Sequence, residues 1–184
     1  MTTDLRWRVV ILQITLVVVL AFVAGFLYWA ANFTRSYVHD ELTQQRISFP
    51  AAGSPAINPS EFPDLQQYAG QAVNDGDKAK AYANGFIGRH LQAIGGGKTY
   101  SQVSALSQAN PKNQALAGEV QTLFRGETLR GLLLNAWGWW TVGTYALYAA
   151  IGLSIASVAV FLAFLYEVLL SPKRVAPGAP RRVA

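Results

Sequence analysis

The stretch FRGETLRGLLLNAWGWWTVGTYALYAAIGLSIASVAVFLAFLYEVLL, residues 124–170, decides the fold. It begins amphipathic and becomes almost wholly apolar, the pattern of one helix passing from water into lipid. From Val142 to Tyr166 no residue is charged, and a bilayer core requires only about 20 such residues at about 1.5 Å rise each. Trp137, Trp139 and Trp140 lead into the run, followed by Tyr145 and Tyr148. Tyr166, Glu167, Lys173 and Arg174 close it. Aromatic and basic residues at the two ends of an apolar run are anchors at headgroup level.

Upstream, residues 9–31 (VVILQITLVVVLAFVAGFLYWAA) form a second uncharged run of spanning length that ends in Tyr28 and Trp29. A cleaved signal peptide has a shorter apolar core, of about 7–15 residues, and Phe-Leu-Tyr-Trp is a poor cleavage site, so a retained anchor is expected. Phe33, Tyr37, Val38, Leu42 and Gln45 keep helical spacing beyond it, which predicts two or three further turns outside the lipid.

The expected fold class is therefore an all-α membrane protein, with two antiparallel transmembrane helices extended into a small extracytoplasmic helical domain. The boundaries are a cytoplasmic lead at 1–8, the first span at 9–31, the helical domain at 32–140, the second span at 141–170 and a basic cytoplasmic tail at 171–184. Orientation follows from Arg6 and Arg8 before the first span and Lys173, Arg174, Arg181 and Arg182 after the second. Basic flanks stay inside, so both termini are expected in the cytoplasm of a cell whose plasma (inner) membrane the chain crosses twice.

Composition agrees with that reading. Of 184 residues 52% are hydrophobic, and the mean hydropathy of +0.22 is high for a soluble domain. The net charge of +5 sits on the membrane flanks and not on one face, which argues against nucleic acid as a partner. Cysteine is absent, which excludes disulfides, thiolate catalysis and Cys-ligated zinc.

Between the spans, residues 47–63 (ISFPAAGSPAINPSEFP) carry four prolines and predict an extended surface loop. Residues 64–73 predict a short helix with Leu65, Tyr68, Ala69 and Ala72 on one side, and Asn74-Asp75-Gly76 a turn. From Asp77 to Ile94 the residues Ala79, Tyr82, Ala83, Phe86, Ile87, His90, Leu91 and Ile94 recur at three and four, one packed face of a helix. Gly95-Gly96-Gly97 stops it. Thr99-Tyr100-Ser101-Gln102 has the form of a capping box, and Asn110-Pro111 that of a second helix start. Leu116, Val120, Leu123 and Phe124 then form a stripe running toward the second span.

Arranged chemistry is sparse. Gly95 to Thr99 suggests a phosphate loop, but its leading glycine would fall at Gln92 and a helix precedes it where a strand is needed. His39 and His90, the two histidines, could join Asp40, Glu41, Glu119 or Glu127 around a metal, yet no metal-site spacing supports this. His90 reads as a satisfied, half-buried side chain and His39 as a solvated residue paired with acids. No catalytic, cofactor-binding or metal residues are expected, and no cofactor. The candidate interface to lipid or protein is Arg125, Glu127 and Arg130 with Trp137, Trp139 and Trp140, where guanidinium groups could hold lipid phosphates. A seam of small residues, Ala149, Gly152, Ala156, Ala159 and Ala163, predicts close packing against Ala21, Ala24 or Gly25 of the first span. Thr141, Thr144, Ser154 and Ser157 are expected to bond their own helix backbone.

The stretches YAGQAVNDGDKAKAYANGFIGRHL (68–91), GGGKTYSQVS (95–104) and TLFRGETLRGLLLNAW (122–137) resemble a group of actinobacterial two-span membrane proteins. Many of these carry the automatic description aromatic ring-opening dioxygenase. The resemblance implies the two-span layout and supplies no catalytic residues, because such enzymes hold iron with two His and a carboxylate, or an equivalent set, and no motif here matches. The expected role is a non-enzymatic accessory or scaffold subunit of a cell-envelope membrane complex. Its partners would be the lipid bilayer and other membrane subunits or further copies of the chain. A metal-dependent extracytoplasmic enzyme and a two-span channel component are the alternatives.

Overall fold

The computed structural model describes residues 3–170. Among them the chain is all helical, with no strand longer than an isolated bridge. It is dominated by two helices long and apolar enough to cross a membrane: α1, Thr3–Gln45, and α5, Gln114–Leu165. Only 11% of the most apolar window of each is buried, whereas the core helix of a soluble protein would be enclosed. Two compact units result, one from Met1–Tyr28 with Tyr148–Ala184, the other from Trp29–Leu147. The basic tail expected at 171–184 lies outside the described residues.

In the first unit α1 and α5 lie side by side. Arg6 Nε is 3.2 Å from Glu167 Oε1, and its Nη2 donates to the Glu167 carbonyl. The Ser157 hydroxyl donates to the Val17 carbonyl at 3.3 Å. Buried positions on α1 include Val10 and Ala24, and on α5 Ala150 and Ser157. All are separated by multiples of seven, the repeat of paired helices under slight supercoil. The small-residue seam is corrected by this arrangement. Ala149, Gly152, Ala156, Ala159 and Ala163 are all exposed, and a Cβ added at Gly152 would meet nothing. Close approach uses Ala24 and Ala150 instead, one position out of phase with the seam. Ser154 bonds its own helix at Ala150, as expected, but Ser157 reaches across. After Leu165 the last turns widen into a π-helix, Tyr166–Leu170.

The second unit is built around the upper part of α1 and the first half of α5. Its core holds Val38 and Leu42 of α1, Leu133 of α5, and Phe49, Ile57, Phe62 and Leu65 from the proline-rich segment and its sequel. That segment runs mostly exposed, as expected, but is pinned to the core by Phe49, Ile57 and Phe62. Its prolines set short 3-10 turns at Pro55–Ile57 and Pro63–Tyr68 that drive Ile57 and Leu65 fully inside. The helix expected over 64–73 ends at Tyr68. Gly70, at φ +70°, turns the chain so that Gln71 and Val73 pair with Phe49 and Ile47, bridging Ser48 to Ala72. Backbone groups beside a proline-rich strand find partners this way instead of in a helix.

Asp75 caps α2, Gly76–Lys80, by accepting from the Lys78 N–H at 2.8 Å. The helix widens into a π segment, Ala81–Gly88, before α3, Arg89–Ile94. A Cβ at Gly85 would come within 2.8 Å of Leu65, and one at Gly88 within 3.5 Å of the Arg130 guanidinium, so the wide turn is where neighbours press in. Gly96 and Gly97, both at positive φ, end α3 as expected. The capping box at Thr99 and Gln102 is complete on both sides and opens α4, Tyr100–Ala109. The next start falls later than Asn110-Pro111: these make a turn, and Asn113 accepts from the Leu116 N–H at 3.1 Å to cap α5. Leu123 buries against Leu91 and Val103 as a second small core, whereas Phe124 stays exposed.

Candidate functional site

On α5, Trp137 and Trp140 are three residues apart and therefore share a helix face. Each ring carries a cation. The Arg35 guanidinium carbon lies 4.5 Å from the Trp140 ring centroid, and the Lys80 ammonium 4.1 Å from that of Trp137. Gly143 makes the first contact possible: a Cβ there would stand 2.9 Å from Arg35 Cγ and 3.3 Å from the Ala31 carbonyl. Gly76 does the same for α2, which packs directly on the stem of Trp140. Neither Arg35 nor Lys80 forms an ion pair with a carboxylate among the described residues. The tryptophans were legible as anchors in the sequence, but the two cations on them were not, since Lys80 comes from a distant element.

The other expected interface residues separate. Arg130 is committed: its Nε and Nη2 both donate to Asn84 Oδ1, at 3.1 and 3.0 Å, and its Nη1 to Glu127 at 3.2 Å. This ties α5 to the π segment. Arg125 is exposed. Nearby, Arg89 grips Asp64 with two bonds of 2.8 Å, which hold the Asp64 carboxyl below its usual pKa.

Trp139 points elsewhere on α5 and forms one wall of an apolar groove of about 430 Å³. Val38, Leu42, Leu133 and Ala136 make its floor, and Phe33, Tyr37 and Leu132 its walls. Trp29, Phe33 and Tyr37 stack in succession along α1, with centroids 5.6 and 6.3 Å apart. Phe33 and Tyr37 are each 59% exposed and Leu132 is 63% exposed, so the groove is open along its length. Glu41, Gln45 and Asn135 supply its polar edge.

The histidines do not meet a metal-ligating set: among the described residues no group of three or more His, Cys, Asp or Glu is placed to hold a metal. His90 is half-buried as expected, with Nδ1 2.8 Å from the Phe86 carbonyl and its ring stacked on Phe62 and tilted against Phe86. His39 corrects its expectation, because its Nδ1 meets the Asn74 carbonyl at 2.7 Å and no acid pairs with it. Tyr82 joins the same aromatic cluster through Phe49 and Phe86, and burial raises its pKa. No family model matches the chain, and no match is found among curated proteins or solved structures.

Proposed function

We propose that the chain is an accessory subunit of a plasma-membrane complex. It would cross the bilayer twice through antiparallel helices, keep both termini in the cytoplasm and hold an apolar helix of another membrane subunit in its α1–α5 groove. The groove is the observation that carries this reading. An open channel with an aliphatic floor and aromatic walls is costly to leave in water, and its two helical walls suit the helix-in-groove mode of recognition.

The membrane placement is supported by helix length. Along α1 the path from Arg6 to Arg35 is about 43 Å, and along α5 from Trp140 to Glu167 about 40 Å, at about 1.5 Å per residue. Both approach the roughly 40–45 Å of a bilayer with its headgroups. Antiparallel pairing is supported by contacts that run in opposite directions on the two helices: Arg6 with Glu167, Val17 with Ser157, and Ala31 with Gly143. The sidedness rests on the basic flanks.

The test is a photo-crosslinking residue at Tyr37 in cells, followed by gentle detergent extraction and mass spectrometry. A discrete protein adduct is expected, and Phe33→Asp should abolish it while leaving the chain folded, since Phe33 is exposed. Adducts to lipid alone, with a monomeric particle on native gels, would refute the subunit role.

A further inference from the structure

We propose that Arg35 and Lys80, mounted on Trp140 and Trp137, form a binding site for the phosphate of an anionic membrane lipid. The inference rests on the membrane placement proposed above and is independent of what fills the groove. Three observations converge on it.

First, the two cations stand over Trp140 and Trp137, rings three residues apart on one helix. An aromatic face orients a cation without neutralising it, and each keeps N–H donors for an anion. Arg35 brings a planar fork suited to phosphate oxygens, and Lys80 a compact ammonium. Second, the two arginines of the neighbouring polar cavity already have carboxylate partners, Arg89 in Asp64 and Arg130 in Glu127. Two carboxylates share a cavity with Lys80: Asp64, which is paired with Arg89, and Asp77, so with Arg35 added the basic residues still outnumber the unpaired acid. Third, the sequence of α1 from Arg6 to Arg35 has a helical length of about 43 Å at about 1.5 Å per residue, which matches a bilayer with its headgroups. Gly143 lets the Arg35 stem lie flat against α5, with its guanidinium over the ring of Trp140. The expected ligand is a phosphodiester with a net negative headgroup, such as phosphatidylglycerol, in preference to a zwitterionic lipid whose own ammonium the cations would repel.

The experiment uses the purified full chain in neutral detergent micelles. Binding is followed by native mass spectrometry and thermal shift with three probes: phosphatidylglycerol, phosphatidylcholine and inorganic phosphate. Tighter binding of phosphatidylglycerol is expected, weakened about fivefold by Arg35→Gln or Lys80→Gln and about thirtyfold by both together, given the usual worth of a basic residue near an anionic headgroup. Arg35→Lys with Lys80→Arg should restore it, and Lys112→Gln, in an exposed turn, should leave it unchanged. If the double Gln variant keeps its melting temperature and binds phosphatidylglycerol as the parent does, the site is refuted. Equal loss with Lys112→Gln would show diffuse charge and refute it too, and saturation by inorganic phosphate alone would overturn the lipid assignment. Failure of the membrane placement shows separately, as release of the chain from cell membranes by alkaline carbonate.

Discussion

A methyl group added at Gly76 would stand inside the van der Waals envelope of Trp140 Cβ, an atom fixed to the α5 backbone. One added at Gly126 would press on the methyl end of Leu91, a side chain held in the small core with Val103 and Leu123. The two substitutions look alike in sequence and should differ in effect. Gly76→Ala must push α2 off α5 and is expected to cost about 1–3 kcal/mol, the range for overpacking. Gly126→Ala overpacks as well, but inside a long helix alanine gains up to about 1 kcal/mol in propensity, so it should cost less than Gly76→Ala. Thermal unfolding of the two variants in detergent checks the order, and equal melting temperatures would disprove it. Glycines that mark stops, Gly95 to Gly97, could be read from composition because a helix end is a local event. Gly76 and Gly143 could not, because what they admit, a tryptophan stem and an arginine stem, comes from another part of the chain. The same holds for Arg130: its pairing with Glu127 was visible at a spacing of three, whereas Asn84 lies 46 residues away.

Helix starts and apolar runs were the most legible elements, and the faces on which helices meet the least. The capping box at Thr99 needed only four neighbouring residues. The contact face of α5 needed its partner: the open seam at Ala149 to Ala163 is richer in small residues than the line through Ala150 and Ser157 that packs. Composition favoured the former, but α1 offers its own small residues, Ala24 and Ala31, to the latter. A pair of substitutions separates the faces. Ala150→Leu places a large side chain where exposure is 3%, and a loss of about 1–3 kcal/mol is expected. Ala156→Leu, on the open side, should change stability by less than about 0.5 kcal/mol. Denaturant titration of the detergent-solubilised chain measures both, and a larger loss for Ala156→Leu would return the seam to the interface. The proline-rich segment hid its core residues for a related reason. Proline excludes helix but does not exclude burial, and Ile57 and Phe62 between the prolines carry the core.

For the whole molecule, sidedness is the property most open to direct measurement, because the chain contains no cysteine to confuse a label. Ala52→Cys, in the exposed part of the proline-rich segment, is expected to react with a membrane-impermeant maleimide in intact cells. Thr3→Cys should react only after the membrane is opened. The reverse pattern would invert the orientation. Two long apolar helices and an intervening helical unit were legible from hydropathy alone, since a run of that length and composition has few other forms to take. The groove was not, because it is a space between residues nearly 100 positions apart. The contact between Arg6 and Glu167 also bears on how the molecule is made. These residues stand 161 apart, and at a synthesis rate of about 5–20 residues per second the second does not exist until about 10–30 s after the first. For that interval Arg6 lacks Glu167, and in the orientation proposed here its charge would keep the amino end from following the first span across. When Glu167 emerges the same arginine pairs with it, so a residue made at the start of synthesis fastens the last turns of the chain's second long helix.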